Sequence, residues 1–217
     1  MENVKKIVMG GVAALALVTA SVMGTMAYLQ GTDEVNNTFT VGKVNITLDE
    51  THVDDMGNKI DETRVKENSY KLIPGHTYTK DPTVTVTKGS EESYVRAKVT
   101  FVKSDKLQAA LGDESILSVL KDIDGNWELS SNDPAVETKE GVTSTTFEFR
   151  YLTTVTPESN VDTVLPSLFK SVELPGSVTN DELKDLADMN IDVKAEAIQA
   201  DGFDSADAAW TAFDNQK

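Results

Sequence analysis

The sequence predicts a mainly β protein in which antiparallel strands build the core and a few short helices lie at the periphery. Three features of the 217-residue chain lead to this prediction. Several stretches alternate apolar and polar residues, which is the period of a half-buried strand. Gly, Pro, Asn and Asp residues separate these stretches and favour turns. Helical periodicity is confined to short segments, so we expect few helices.

The clearest strand spans residues 94–102. Its odd-numbered residues from Val95 to Phe101 are apolar, and its even-numbered residues from Arg96 to Thr100 are polar. We expect the polar face to be in contact with water, as in an antiparallel sheet that is covered on one side. The other alternating segments are residues 44–48, 83–87, 145–152 and 191–197.

Two details of these strands need interpretation. Phe147, Phe149 and Tyr151 form an aromatic stripe along one strand. Such a stripe can bind carbohydrate, but we favour a place in the core, because large aromatic side chains dominate core burial. Ile198 breaks the alternation of the last long strand and predicts a bulge or the end of pairing nearby.

Turns and short helices fill the rest of the chain. Turns are predicted at residues 54–59, 74–75, 88–92, 122–126 and 157–160, and a loop at residues 130–141. Residues 105–123 predict a short helix that Gly112 ends, followed by another helical turn or two. Asn180 is predicted to cap a helix over residues 181–188. Asp204 is predicted to cap a last helix, which we expect to close one end of the stacked sheets.

Residues 1–27 have the layout of a cleavable signal peptide. Lys5 and Lys6 precede a long uncharged apolar run that small residues end, and this layout predicts cleavage between Ala27 and Tyr28. The alternative is a retained membrane anchor, because the run approaches the length of about 20 residues that spans a bilayer. We favour cleavage and export, with no membrane span afterwards, because many small residues make the run weakly hydrophobic.

Three short segments lie at and after the predicted cleavage site: Met-Ala-Tyr at residues 26–28, Asn-Thr-Phe at residues 37–39 and Val-Gly-Lys-Val at residues 41–44. They resemble the start of the TasA and camelysin family of exported Gram-positive proteins. The resemblance implies cleavage by a dedicated signal peptidase and, for residues 41–217, a jelly-roll β-sandwich. It also implies that the protein is secreted as a subunit of biofilm-matrix fibres or of a cell-surface layer.

Residues 28–40 form a polar, turn-rich arm with two apolar anchors, Val35 and Phe39. A segment of this kind does not fold alone. One interpretation is that the arm donates a strand to a sheet edge of another copy, so that the protein self-associates into fibres. The other is that the arm folds back into its own domain. The sequence leaves both interpretations open.

The chain is strongly acidic, with 36 Asp and Glu against 20 Lys and Arg and a net charge of −16 at pH 7. This charge disfavours nucleic acid and anionic membranes as partners, because both would be repelled. Acidity also keeps an exported protein soluble, which is the simplest explanation of it. A divalent cation could bridge two such surfaces, but no cofactor is predicted.

The sequence lacks the common catalytic motifs, so no catalytic residue is predicted. It contains no cysteine, which excludes disulfides, thiolate catalysis and zinc-thiolate sites. It contains no His-Glu-x-x-His, Gly-x-Ser-x-Gly, Walker or dinucleotide-binding motif. Residues 54–59 resemble part of a calcium loop, but their spacing fails the pattern and favours a plain turn.

The alternative function is that of a camelysin-like secreted or cell-bound metalloprotease, because some members of the family that the sequence resembles have been called metalloproteases. Its metal ligands would be His52 and His76, the two histidines of the chain. They are weak candidates, because the usual zinc motif sets two histidines one helical turn apart. The sequence therefore favours the structural function over the protease.

Overall fold

The computed structural model describes residues 42–131 and 133–216. The predicted leader (residues 1–27), its cleavage site at Ala27 and Tyr28, and the arm (residues 28–40) with Val35 and Phe39 lie outside the described residues. No prediction about them is tested by the fold.

The described residues form a mainly β fold, as predicted. Twelve strands follow one another along this part of the chain: β1 (Ile46–Val53), β2 (Lys59–Val65), β3 (Thr77–Thr79), β4 (Thr83–Val86), β5 (Ser93–Val102), β6 (Leu120–Lys121), β7 (Trp127–Leu129), β8 (Ala135–Lys139), β9 (Val142–Tyr151), β10 (Thr163–Val164), β11 (Ser171–Glu173) and β12 (Ile191–Gln199). The helices are α1 (Ser104–Leu111), α2 (Asn180–Asp185) and α3 (Ala206–Asp214), with a 3-10 helix at Ile116–Val119.

The strands pair antiparallel in three sheets. One sheet has the order β10-β4-β1-β2, and a larger one has the order β12-β5-β9-β7 with β8 also paired to β9. A small sheet has the order β3-β11-β6. The pairs within all three sheets are antiparallel. The first two sheets contribute inward side chains to one hydrophobic core.

The core is built from the apolar faces that the alternation predicted. Val84 and Val86 of β4 pack in the same cluster as Val99 and Phe101 of β5, and all four are at most 1% exposed. The aromatic stripe of β9 also belongs to the core. Phe147 is buried and meets the ring of Phe101 edge-on, with 6.0 Å between the ring centroids.

Two strands that the sequence did not reveal carry almost no buried side chain. The predicted loop at residues 130–141 is wrong, because β8 and β9 form a hairpin there with Glu140 and Gly141 as its two-residue loop. Both loop residues have positive φ, as the favoured hairpin turns require. All residues of β8 are exposed, and β2 is exposed up to Val65. Neither strand has the apolar alternation that marks a half-buried strand.

Of the two alternatives predicted near Ile198, the bulge is wrong and the end of pairing is confirmed, because β12 ends at Gln199. β12 pairs with β5 in unbroken register from Ile191 opposite Phe101 to Gln199 opposite Ser93. Ile198 lies on the face opposite the core. An apolar residue is compatible with that position because the C-terminal helix packs on this face.

The helix caps are displaced by one residue from the predictions. Thr179 rather than Asn180 caps α2, and its hydroxyl and the carboxylate of Glu182 form a reciprocal capping box. Ser205 rather than Asp204 caps α3 by accepting a hydrogen bond from the backbone N–H of Ala208.

The polar face of β5 is covered at Arg96, which corrects the prediction of a face in contact with water, whereas Lys98 and Thr100 on the same face remain partly exposed. Arg96 is 1% exposed because α3 lies across this outer face rather than closing an end of the sheets. The Arg96 Nε donates to Glu196 of β12 at 2.8 Å. Its Nη1 donates to Asp214 of α3 at 2.9 Å and to Glu148 of β9 at 3.1 Å. One guanidinium thus joins β5, β12, β9 and α3.

Aromatic rings of α3 complete the enclosure of this guanidinium. The Arg96 Cζ lies 4.3 Å from the ring centroid of Trp210 and 5.2 Å from that of Phe213. Burial disfavours the charged guanidinium, but its hydrogen bonds to the carboxylates of Asp214 and Glu196 outweigh this effect and hold the pKa of Arg96 above its ordinary value. Arg96 therefore stays charged at every pH at which the protein is folded.

We expect Arg96→Met to destabilise the fold by about 3–5 kcal/mol, because it leaves the carboxylate of Glu196 buried without its main cation. Lys184→Met is the matched control, since that lysine is 76% exposed and pairs with Asp181 on the surface of α2. Its effect should stay within about 0.5 kcal/mol. The free energies of unfolding come from denaturant titration. Equal effects of the two substitutions would show that the buried network does not hold α3.

Candidate functional site

A groove of about 1170 Å³ runs between β1 and β12 and is the main candidate site of the described residues. Residues 46–50 of β1 form one wall, and residues 191–195 of β12 form the other. Apolar side chains that line the groove include Leu72, Val172, Leu183 and Leu186.

Both walls are strand edges. Along residues 46–49, β1 pairs with β4 on one side, and β2 joins its other side only from Glu50, opposite Val65. β12 is the end strand of its sheet and pairs with β5. An unpaired strand edge presents backbone N–H and C=O groups that can pair with another strand.

The hydrogen-bond alternation shows which backbone groups of β1 face the groove. Asn45 O accepts a hydrogen bond from Thr87 N at 2.9 Å, on the β4 side. In an antiparallel ladder, alternate residues bond to the same neighbour. Thr47 therefore also bonds towards β4, and the backbone groups of Ile46 and Leu48 point into the groove.

The same alternation applies to β12. Asn190 O accepts a hydrogen bond from Val102 N at 2.9 Å, which directs the even-numbered residues of β12 towards β5. The backbone groups of Ile191, Val193 and Ala195 therefore face the groove. Their side chains point inward, opposite Phe101, Val99 and Ala97 of β5 respectively.

The inward side chains beside the groove are only half covered. Ile46, Leu48, Val193 and Ala195 pack against the core but remain partly exposed. Their counterparts on the adjacent paired strands, such as Val86 opposite Ile46, are fully buried. A further strand along a wall of the groove would cover part of these apolar side chains and pair with an open edge.

A buried ion pair lies in the groove wall where β2 begins to pair with β1. Glu50 is 5% exposed. Its carboxylate accepts hydrogen bonds from Lys80 Nζ at 2.8 Å and from Asn68 Nδ2 at 3.0 Å. Beside it, burial is the main cause that raises the pKa of Tyr70 above its ordinary value, so the phenol stays protonated. It donates to Thr79 O at 3.0 Å.

Gly42 lies at the surface, in a shallow depression shared with Gln199, Ala200 and Asp201. The chain therefore enters the described body beside the C-terminal end of β12. From there Lys43 O accepts a hydrogen bond from Glu91 N at 2.9 Å. This contact and the one at Asn45 hold residues 43–45 beside residues 87–91, which follow β4.

The two histidines have different neighbours. His52 Nδ1 lies 3.3 Å from Asp61 Oδ2 on the exposed surface of β1 and β2. His76 Nε2 lies 2.7 Å from Met56 O, and its ring meets Tyr78 edge-on. Within residues 42–131 and 133–216, no group of three or more His, Cys, Asp and Glu is arranged to hold a metal ion.

Residues 54–59 form a turn, as predicted. Asp54 Oδ1 accepts hydrogen bonds from the backbone N–H groups of Asn58 at 2.8 Å and Met56 at 3.0 Å. These bonds, the one from Asn58 above all, hold the pKa of Asp54 below its ordinary value. The Asp54 carboxylate therefore makes its hydrogen bonds within the turn.

Comparisons with models of known protein families, with curated proteins and with solved structures found no match. Among the described residues, no helix combines the length and the apolar character that crossing a bilayer requires. The groove is therefore interpreted from its own geometry.

We expect the amide N–H groups of Val193 and Ala195 to exchange with solvent about tenfold or more faster than those of Asp192 and Lys194 in the unassembled protein. The reason is that only the even-numbered residues bond to β5. Residue-resolved hydrogen exchange by NMR measures the difference. Equal protection along β12 would contradict an open groove.

Proposed function

We propose that the protein is an exported structural subunit whose groove accepts the arm (residues 28–40) of a second copy as an added strand. Copies joined in this way would form fibres of an extracellular biofilm matrix or a cell-surface layer. Each copy would have a jelly-roll sandwich fold like that of the TasA and camelysin family. The observation that carries the proposal is the groove between β1 and β12, with two open strand edges and half-covered apolar walls.

The sequence of the arm suits this groove. Val35, Asn37 and Phe39 would lie on one face of an extended strand, so that both apolar anchors point the same way. The groove offers Ile46 and Leu48 on one wall and Val193 on the other. Main-chain hydrogen bonds to an open edge would supply affinity, and the two anchors would fix the register.

A second copy suits the geometry better than the arm of the same copy. Gly42 lies beside Gln199 to Asp201, beyond residues 191–195 that form the wall of the groove. The arm of the same chain would have to reverse direction at Gly42 to enter the groove. An arm that continues outward can instead reach a neighbour, and a head-to-tail contact repeated from copy to copy builds an open filament.

The leader and the charge support the same proposal. Cleavage by a signal peptidase after Ala27 would free the arm at Tyr28. The acidic surface suits an extracellular protein that binds neither nucleic acid nor anionic membranes. We assign no catalytic residue, and the separate surroundings of His52 and His76 give the protease alternative no support.

Removing residues 28–40 should abolish fibres of the mature protein, because no donor strand remains. A sharper test is the pair Val35→Asp and Phe39→Asp in one chain, which places charges on the anchor face. Asn36→Asp with Thr38→Asp is the matched control, with the same added charge on the opposite face. Electron microscopy and sedimentation should show fibres only for the control and the parent. Fibres of normal length without residues 28–40 would rule out donation by the arm.

We expect assembly to become faster as NaCl rises from low concentration to about 0.15 M, where the screening length falls to about 8 Å. Mature copies repel each other before they dock, because removal of Glu2, Lys5 and Lys6 with the leader leaves 35 acidic and 18 basic residues, a net charge of −17. Light scattering follows the lag time of assembly. A lag that lengthens with salt would contradict repulsion as the barrier.

A further inference from the structure

Lys66 occupies a hydrogen-bonding position that an added strand would need. It follows β2 directly, after the pairing of Val65 with Glu50. Its side chain lines the groove, and its Nζ donates a hydrogen bond to Leu48 O. Leu48 is one of the residues of β1 whose backbone groups face the groove.

The ammonium group of Lys66 therefore makes the hydrogen bond to Leu48 that a backbone N–H of an added strand would make. In an antiparallel or parallel ladder, the carbonyl of Leu48 would accept a hydrogen bond from a backbone N–H of the added strand. Lys66 satisfies that carbonyl with a side chain instead. A strand that enters along β1 must displace the ammonium group before it can pair with Leu48.

We propose that Lys66 is a gate on the groove, which blocks the edge of β1 in the free protein and swings into solvent when a strand enters. This inference rests on the proposed function, because it concerns how the same groove is kept closed until the arm of a second copy arrives. Lysines on exposed edge strands are a known means of preventing premature pairing.

The neighbouring side chains show why Lys66 rather than Arg64 can move. Arg64 is held by ion pairs with Asp49 and Asp81 and by hydrogen bonds to both of their backbone carbonyls. Lys66 is exposed, and its ammonium contacts the Leu48 carbonyl. A hydrated ammonium on a flexible stem can leave such a contact at small cost. Arg64 thus fixes β2 to β1, while Lys66 can release the Leu48 carbonyl and turn into solvent.

The test measures binding of a synthetic peptide with the sequence of residues 28–40. The receptor is the mature chain carrying Val35→Asp and Phe39→Asp, so that its own arm does not compete. Lys66→Met removes both the charge and the donor. Lys59→Met is the matched control, because Lys59 lies on β2, which Lys66 follows, and pairs with Glu62 on the surface. Fluorescence anisotropy of the labelled peptide gives the affinity and the association rate.

We expect Lys66→Met to raise the affinity roughly threefold to tenfold, in keeping with the modest net contribution of one hydrogen bond, and Lys59→Met to leave it unchanged. Equal affinities for both variants, or weaker binding to Lys66→Met, would overturn the gate while leaving strand donation intact. Weaker binding would indicate instead that Lys66 attracts the acidic residues of the arm. Absence of peptide binding to the receptor and to both variants would overturn the proposed function itself. Unfolding midpoints of the two variants check that both are folded.

Discussion

The backbone groups of two strand edges face each other across the groove without pairing, and the proposed assembly depends on this constraint. In the described part of the chain, residues 46–49 of β1 are paired with β4 on one side, and β12 is paired with β5 on one side. Buried backbone polar groups must find partners. The groove stays accessible because water can reach these groups, and an added strand would replace that water while burying the apolar walls.

The position of β12 depends in turn on the buried network around Arg96. Glu196 lies on β12 with its carboxylate on the outer face, where Arg96 of β5 and Lys98 hold it. Asp214 and Trp210 bring α3 onto the same guanidinium. The outer face of β12 is therefore covered by α3, and among the described residues the backbone edge of β12 that faces the groove stays unpaired. The helix thus holds this wall in place without filling the groove.

The sequence was sufficient to predict the strands whose side chains are half buried. The alternation of residues 94–102 and of residues 191–197 predicted β5 and β12 and the correct core face. β2 and β8 were missed because they lie at the surface and bury almost nothing, so backbone pairing alone defines them. Burial of Arg96 was missed because its partners lie far away in the sequence.

The groove could not be predicted for a related reason. Residues 46–50 and residues 191–195 carry ordinary strand patterns, and nothing local in either pattern shows that one edge lacks a partner. The arm with Val35 and Phe39 was recognised from its two apolar anchors, but its partner surface exists only after β1 and β12 are placed by their sheets.

Site-specific cross-linking between two copies tests strand donation most directly, because the chain has no cysteine of its own. One copy carries Asn37→Cys in the arm, on the same face as the two anchors, and the other carries Ala195→Cys in the groove wall. Ala135→Cys on exposed β8 is the control. A disulfide forms only between residues whose Cα atoms approach to about 4.4–6.8 Å. Strand donation predicts a mixed disulfide dimer of the first two copies under mild oxidation and little with the control. Equal cross-linking to Ala195→Cys and Ala135→Cys would contradict it.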